Sequence, residues 1–183
     1  MNPHIAAHRR ALDELDAVIP SVEALAADCI ASIKAGGKIL LFGNGGSAAD
    51  AQHWAAELTG RYKRERRALP AIALTTDTSA LTAIGNDYGF GDVFARQVRA
   101  LARDGDVLIG ISTSGTSPNV VDAIKANAGR ACIHAMITGP TAPGMSLLDH
   151  AIRAPGDSTA TIQEMHAIIG HILCGMIEDA FAE

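Results

Sequence analysis

Five short apolar segments, separated by longer stretches of helical periodicity, constrain the fold of this 183-residue chain more than any other feature. They read KILLFG, AIALTT, VLIGIS, CIHAMIT and HAIRA, at residues 38–43, 71–76, 107–112, 132–138 and 150–154. Most are apolar at nearly every position, which is typical of strands buried on both faces. Such strands occur in parallel sheets covered by helices, so the pattern predicts a doubly wound α/β fold with a parallel five-stranded sheet.

Segments with helical periodicity connect these strands, at residues 47–59, 79–102 and 118–128. Two further helices precede the first strand, and Pro20 and Ser21 interrupt them, with Ser21 predicted to cap the second helix. We therefore expect a single domain, in which residues 1–36 form an N-terminal helical hairpin and residues 37–183 form an α/β sandwich.

The last predicted helix, from Thr161 to Phe181, is too apolar for a single packing surface. Its apolar residues are Ile162, Met165, Ile169, Ile172, Leu173, Met176, Ile177 and Ala180. Because a soluble monomer seldom leaves so much apolar surface exposed, we expect part of this C-terminal helix to lie in an interface with another subunit.

Four polar side chains interrupt that helix: Gln163, Glu164, His166 and His171. Burying an amide or an imidazole is costly unless the group is hydrogen-bonded or binds a ligand, which predicts a site at a subunit junction. Gln163 and His171 are separated by about 12 Å along a straight helix axis. Either their side chains lean together, or the helix is irregular near Gly170, or the two residues act from different subunits.

Composition and charge exclude several classes of function. The formal net charge is −5, whereas a broad nucleic-acid interface usually needs a basic face. Three widely spaced cysteines suggest neither a disulfide framework nor a metal clip. Residues 1–20 lack the continuous apolar region of a signal peptide, and no apolar stretch reaches the roughly 18 residues of a membrane span. We therefore expect a cytoplasmic protein with no nucleic-acid or membrane partner.

Unusual loops follow the first and third predicted strands. The glycine loop, GNGGSAAD at residues 43–50, has three glycines that let backbone N–H groups approach a ligand, and Ser47 begins the next helix. The hydroxyl loop, ISTSGTSPN at residues 111–119, has five hydroxyl side chains but neither lysine nor arginine. Ligands of parallel sheets bind beyond the carboxyl ends of the strands, so both loops are candidate binding elements.

The hydroxyl loop is suited to a phosphate. Ser112, Thr113, Ser114 and Ser117 can donate hydrogen bonds, while the helix that begins near Pro118 adds free N–H groups and a partial positive charge. The plainer interpretation is a helix cap and a turn, but four hydroxyl groups in six positions favour a ligand. We expect the phosphate of a small metabolite, which must be released after each turnover.

A dinucleotide site is the second interpretation of the glycine loop. Gly43, Gly45 and Ala48 match the G-x-G-x-x-A pattern after a strand. The acidic residue that would bind the ribose is Asp77, which follows Gly43 by 34 residues, whereas roughly 20 are expected. This spacing places the dinucleotide interpretation behind the phosphate interpretation.

The helix after the glycine loop carries a candidate reactive face. His53 and Glu57 are four residues apart and Arg61 follows four residues later. We therefore expect all three on one face of the helix, beside the hydroxyl loop that is predicted to bind phosphate. Taken singly, His53 would be a core histidine, and Glu57 with Arg61 an exposed ion pair.

The basic run RYKRERR, at residues 61–67, is interpreted as a solvated connector except for Arg61, which is expected to contact substrate or a neighbouring subunit.

Four motifs together resemble one known family. FGNGGSAADAQHWAAELTGRY, GNDYGFGDVFARQV, GDVLIGISTSGTSPNVVDAI and IQEMHAIIGHIL are similar, in order and spacing, to the sugar-isomerase (SIS) domain family, most closely to its phosphoheptose isomerases. The resemblance implies a flavodoxin-like α/β sandwich and a homotetramer with active sites between subunits. It also implies conversion of sedoheptulose 7-phosphate to D-glycero-D-manno-heptose 7-phosphate, a precursor of lipopolysaccharide and other glycoconjugates.

The resemblance also implies roles for individual residues. The implied substrate contacts are Asn44, Gly45, Gly46, Ser47, Glu57, Arg61, Asn86, Asp87, Ser112, Thr113, Ser114, Ser117 and Gln163. The implied ligands of one zinc ion per subunit are His53, Glu57, Gln163 and His171. Glu57 and His171 would be the catalytic base and acid. A carboxylate and an imidazole suit aldose–ketose isomerisation. This reaction removes a proton from the carbon beside a carbonyl and returns one to the neighbouring carbon through an enediol.

Two alternatives to an isomerase come from the same family. One is a non-enzymatic branch that binds the bacterial replication initiator, which LPAIALTTDTSALTAIGND, at residues 69–87, also resembles. Members of that branch lack the catalytic glutamate and the late histidine, so Glu57 and His171 favour the enzyme. The other alternative is a regulator that senses sugar phosphates. Thr161 stands where the family often has an arginine, which leaves one substrate or inter-subunit contact open.

Overall fold

A computed structural model of the chain describes residues 2–182. Its strands are β1 Ile39–Gly43, β2 Ala71–Ala73, β3 Val107–Ser112, β4 Ile133–Thr138 and β5 His150–Arg153. All neighbouring strands pair in parallel, in the order β2-β1-β3-β4-β5. Every residue of the central strands β1 and β3 is buried. The doubly wound, flavodoxin-like sheet is therefore confirmed.

The helices are α1 Pro3–Glu14, α2 Ile19–Lys34, α3 Gly46–Thr59, α4 Thr78–Asp87, α5 Ala95–Leu101, α6 Pro118–Lys125 and α7 Thr159–Asp179. The single helix predicted at residues 79–102 is wrong, because α4 and α5 are separate. Between them Gly89 has a φ of 91°, which a helix does not accommodate, and a 3-10 turn follows at Phe90–Asp92.

The N-terminal helices differ from the prediction in how they are joined. A single 3-10 turn, Leu15–Val18, connects α1 to α2. The predicted cap at Ser21 is wrong, because α2 begins at Ile19 and its N-cap, Val18, makes no side-chain cap hydrogen bond. Pro20 lies in the first turn, where its missing N–H group would have had no helical partner.

Helices cover both faces of the sheet. On one face α1, α2, α3 and α7 form a continuous apolar cluster with the sheet, and on the other α4, α5 and α6 pack against side chains such as Leu40, Phe42 and Leu108. Because the N-terminal helices share the first cluster with the strands, the packing supports the prediction of one domain. Within residues 2–182 no helix has the length and hydropathy that crossing a membrane requires.

A close contact between α3 and α7 aligns the two helices. Trp54 of α3 is buried, and a Cβ atom at Gly170 would overlap its indole ring. Earlier on both helices the Gln163 side chain lies against Gly46, so α3 and α7 run side by side in the same direction. Gly170 thus allows the approach that brings polar residues of both helices together.

We predict that Gly170→Ala destabilises the protein by about 1–3 kcal/mol, because the added methyl group must displace the Trp54 ring in a packed interface. The matched control is Gly175→Ala on the same helix, where the nearest atom to an added Cβ is 3.4 Å away, on Tyr62. That variant should be neutral or gain up to about 1 kcal/mol from helix propensity. Urea unfolding of both variants checks the prediction, and equal stabilities would contradict it.

His166 is a fully buried histidine beneath the carboxyl end of β4. Its Nε2 atom lies 3.2 Å from the carbonyl oxygen of Thr138, to which it donates. Its Nδ1 atom has no hydrogen-bond partner among residues 2–182, so a proton there would add a buried charge with no acceptor. Burial lowers the pKa of His166 from its ordinary 6.5 to about 4, although the hydrogen bond to Thr138 opposes the shift.

The protein should therefore lose stability as the pH falls from about 6.5 to 4, since the unfolded chain binds a proton at residue 166 in this range and the folded chain does not. Between pH 7 and 5 protonation of residue 166 in the unfolded chain lowers the free energy of unfolding by about 2 kcal/mol. His166→Gln has no titrating group at position 166, so its free energy of unfolding should fall by about 2 kcal/mol less than that of the natural protein between pH 7 and 5. Denaturant titrations at both pH values test this, and parallel losses in the two proteins would refute it.

Candidate active site

The glycine loop begins at the carboxyl end of β1. Gly45 adopts φ 55° and ψ −120°, a conformation that residues with a side chain rarely adopt, and α3 starts at the next residue. Gly46 leaves room for the side chain of Gln163, since a Cβ at position 46 would come within 2.7 Å of its Nε2 atom. Ser47 is buried in the first turn. The exposed edge of the loop is therefore mostly backbone.

The hydroxyl loop follows β3, the next strand in the sheet. The Oγ atom of Ser112 lies 3.0 Å from that of Ser117 and 3.4 Å from that of Ser114. Ser117 is the N-cap of α6 but makes no side-chain cap hydrogen bond, so its hydroxyl faces the other serines. Thr113 and Ser114 also line an open cavity beside the loop. The hydroxyl groups of Ser112, Ser114 and Ser117 thus converge.

A reciprocal amide pair joins the two loops. Asn44 and Asn119 each donate to the other's side-chain oxygen at 2.8 Å, and Asn119 is buried in the first turn of α6. The loops follow neighbouring strands at the point where the strand order reverses, which is where ligands of doubly wound sheets bind. The sequence gives no local signal for this role of Asn119, because its hydrogen-bond partner Asn44 lies 75 residues away.

A second cluster lies toward the other end of α3. The Nε2 atom of His53 is 3.1 Å from Oε1 of Glu57 and 3.4 Å from Nε2 of His171. The two imidazole rings meet edge to face, at 87°. Glu57 and His171 are half-buried, whereas His53 is exposed. The structure thus brings together Glu57 and His171, which are 114 residues apart in the sequence.

Two neighbours shape this cluster, and sequence analysis missed both. The ring of Tyr62 stacks on His171, with centroids 5.4 Å apart and planes at 21°. Asp50 lies one turn before His53 on α3, and burial raises its pKa to about 6, although His53 partly offsets the shift. Asp50 is therefore a carboxyl group with a raised pKa, one turn from His53.

The cluster fits a divalent metal ion. One ligand atom from each of His53, Glu57 and His171 lies within 4.8 Å of the others. Ligand atoms of a tetrahedral zinc ion lie about 3.3 Å apart, given bonds of about 2.0–2.1 Å, which resembles the separations between these side chains. Two imidazoles and one carboxylate are also a donor set that catalytic zinc sites use with a fourth position open.

Gln163, the fourth ligand implied by resemblance, lies elsewhere in the same chain. Its side chain contacts Gly46, seven residues and about 10 Å of helix before His53. α7 is continuous through Gly170, so the suggested irregularity there is wrong. A contribution of Gln163 to the same metal ion would therefore come from a different subunit.

The expected alignment of Arg61 with His53 and Glu57 is wrong. α3 ends at Thr59, and Gly60 has a non-helical backbone, so Arg61 leaves the helix and is exposed. The cluster also lies away from the glycine loop, since about 10 Å of helix separates Gly46 from His53 and about 16 Å separates it from Glu57.

The basic run is not simply a solvated connector either. Arg66 is buried, donates to the carbonyl oxygens of Glu57 and Gly60, and lies 3.6 Å from the buried carboxylate of Glu178. Asn86 and Asp87 end α4 as an exposed pair, with the Asn86 amide donating to Asp87 at 2.7 Å.

Comparison with known proteins agrees with this geometry. The SIS domain family matches residues 4–139. Phosphoheptose isomerase 1 of Campylobacter jejuni is 56% identical over 173 residues, covering 94% of this chain and 91% of that protein. The structure of a phosphoheptose isomerase from Neisseria gonorrhoeae is 48% identical, with a TM-score of 0.87, and covers 96% of this chain and 95% of that one.

A phosphoheptose isomerase structure from Francisella tularensis is 36% identical, with a TM-score of 0.92, over 97% of this chain and 96% of that one. These relatives span nearly the whole chain, including both loops and the cluster on α3 and α7. The chain therefore belongs to the phosphoheptose isomerases of the SIS domain family and is a phosphosugar isomerase.

Proposed function

We propose that the protein interconverts D-sedoheptulose 7-phosphate and D-glycero-D-manno-heptose 7-phosphate through an enediol. Its relatives named phosphoheptose isomerase support the substrate class. The observation that carries the proposed chemistry is the meeting of Glu57 and His171 in one half-buried cluster with His53. A carboxylate and an imidazole within reach of the same point can move protons between two neighbouring carbons.

The hydroxyl loop anchors the phosphate in this proposal. Ser112, Thr113, Ser114 and Ser117 donate to its oxygens, and the start of α6 adds N–H groups and the positive end of the helix dipole. The glycine loop, through Asn44, Gly45, Gly46 and Ser47, binds the sugar hydroxyl groups. Asn86, Asp87, Arg61 and Gln163 complete the proposed substrate contacts.

Glu57 is the proposed base and His171 the proposed acid. The Glu57 carboxylate takes the proton from the carbon beside the ketone, and His171 supplies a proton as the enediol collapses to the aldose. Tyr62 covers one face of the His171 ring, which limits the orientations of the imidazole and its access to water. The reverse reaction uses the same groups in exchanged roles.

One zinc ion per subunit is proposed at His53, Glu57 and His171, with Gln163 as a fourth ligand. When bound, zinc would polarise the substrate carbonyl and stabilise negative charge on its oxygen. The donor set and the separations between its atoms support this assignment.

The separation of the two halves of the site supports a homotetramer with active sites between subunits. Along α3 the glycine loop is about 10 Å of helix from His53 and about 16 Å from Glu57, so the two halves lie apart within one chain. A neighbouring subunit can bring its hydroxyl loop to this cluster. Beside His171 the partly buried apolar side chains of Ile168, Ile172 and Met176 line a shallow cavity that suits such an interface.

We propose a cytoplasmic location for the protein. The cysteines Cys29, Cys132 and Cys174 are buried and form no disulfide, which suits a reducing compartment.

We predict that Glu57→Gln lowers kcat by at least about 100-fold and leaves phosphate-sugar binding measurable, because the amide keeps the shape of the side chain but cannot accept the proton. The assay incubates purified protein with sedoheptulose 7-phosphate and follows the aldose by NMR. Glu65→Gln, an exposed carboxylate of the connecting segment, is the matched control and should retain activity. Full activity of Glu57→Gln would remove Glu57 from the mechanism.

Metal binding gives a separate prediction. Protein dialysed against zinc should hold about one ion per subunit, and His53→Ala should hold much less, because it removes one of three converging donors. The control is His4→Ala, an exposed histidine on α1. Elemental analysis gives the ratio, and an unchanged zinc content in His53→Ala would exclude this site.

A further inference from the structure

A buried carboxylate at the end of α7 holds the segment that follows α3. Glu178 is 1% exposed. Its Oε1 atom accepts from the N–H group of Tyr62 at 2.8 Å, and its Oε2 atom accepts from those of Lys63 and Arg64 at 2.7 and 2.9 Å. Three successive backbone donors on one carboxylate fix this segment tightly.

Arg66 completes the arrangement from the same segment. Its guanidinium donates to the carbonyl oxygens of Glu57 and Gly60, each at 2.7 Å, and to that of Arg67 at 3.0 Å. The carbonyls of Glu57 and Gly60 lie at the C-terminal end of α3, where helix carbonyls lack helical partners and a positive charge is favourable. Arg66 therefore fixes the backbone of the proposed base.

The charge state of Glu178 agrees with this geometry. Burial opposes its ionisation, but hydrogen bonds from the backbone N–H groups of Lys63, Arg64 and Tyr62, together with the charge of Arg66, outweigh burial and lower its pKa. An ion pair removed from water stabilises a fold little compared with well-packed apolar side chains of the same volume. Here, however, each member of the pair also binds backbone groups, and these hydrogen bonds fix the segment after α3.

We infer that Glu178 and Arg66 are positioning residues for isomerisation: together they set the placement of Glu57 relative to His171. This inference rests on the roles proposed above for Glu57 and His171. Glu178 acts through Tyr62, whose backbone it holds and whose ring stacks on His171. Arg66 acts through the backbone of Glu57. The buried pair of Glu178 and Arg66 thus contacts the neighbours of both proposed catalytic residues, Tyr62 beside His171 and the backbone of Glu57.

The first test is Glu178→Gln. The glutamine NH₂ group cannot accept from the backbone N–H groups of residues 62–64. This segment therefore shifts, and the Tyr62 ring no longer stacks on His171 as in the natural protein. We expect kcat to fall by about 10- to 100-fold. KM should change by less than about threefold, because Glu178 binds the backbone of the segment after α3 and not the hydroxyl loop that is proposed to bind the phosphate. Asp179→Asn is the matched control: it removes an exposed carboxylate that pairs with Arg64, and its kcat should not change.

A second measurement separates positioning from folding. The variant is Glu178→Gln measured in sucrose, which is excluded from protein surfaces and raises the thermal unfolding midpoint toward that of the natural protein without restoring the lost acceptor. Its kcat should remain about 10- to 100-fold low. Recovery of kcat together with the unfolding midpoint would overturn the inference, since it would show that the pair acts only on stability.

A spectroscopic measurement reads the geometry without turnover. The ring current of Tyr62 shifts the His171 Hε1 resonance in NMR, and Glu178→Gln should remove that shift while Asp179→Asn keeps it. An unchanged resonance in Glu178→Gln would contradict the inference. Failure of the proposed function is distinguishable, because it would appear as full activity of Glu57→Gln, whereas failure of the positioning role leaves Glu57→Gln inactive and Glu178→Gln active.

Discussion

The indole of Trp54 occupies the space that a side chain at position 170 would fill, and the polar chemistry of this fold depends on that contact. Because α3 and α7 approach so closely, His171 reaches His53 one helix away, and Gln163 reaches the start of α3. A wider separation would leave each group alone on a helix surface. The apolar contact therefore creates the polar cluster, even though none of its atoms takes part in chemistry.

The sheet imposes the other half of the arrangement. A parallel strand order with a reversal beside β1 leaves a crevice between the loops that follow β1 and β3, and the Asn44–Asn119 pair joins the two loops across it. Each loop supplies neutral donors, and both lie at helix N-termini, where a phosphate needs no lysine. The phosphate site that we propose thus uses backbone and hydroxyl groups rather than a lysine.

The accuracy of prediction from sequence followed the range of the interactions involved. The residues of β3 and the contact between His53 and Glu57 depend on neighbours within a few positions, and both were predicted correctly. Arg61 was placed wrongly because the helical spacing was extended past Gly60, and a glycine at this position commonly ends a helix. The partnership of Arg66 with Glu178 joins residues 112 positions apart, and five similar cations in the segment hide which one is buried.

The opposite ends of α3 carry the two halves of the proposed reaction, and this division limits how a single chain can work. The phosphate would bind at the N-terminal end, where the helix dipole favours an anion, and the acid/base pair lies near the C-terminal end, where Arg66 compensates the carbonyl groups. We propose that a second copy of the chain completes the site, with its hydroxyl loop facing the Glu57–His171 cluster of the first.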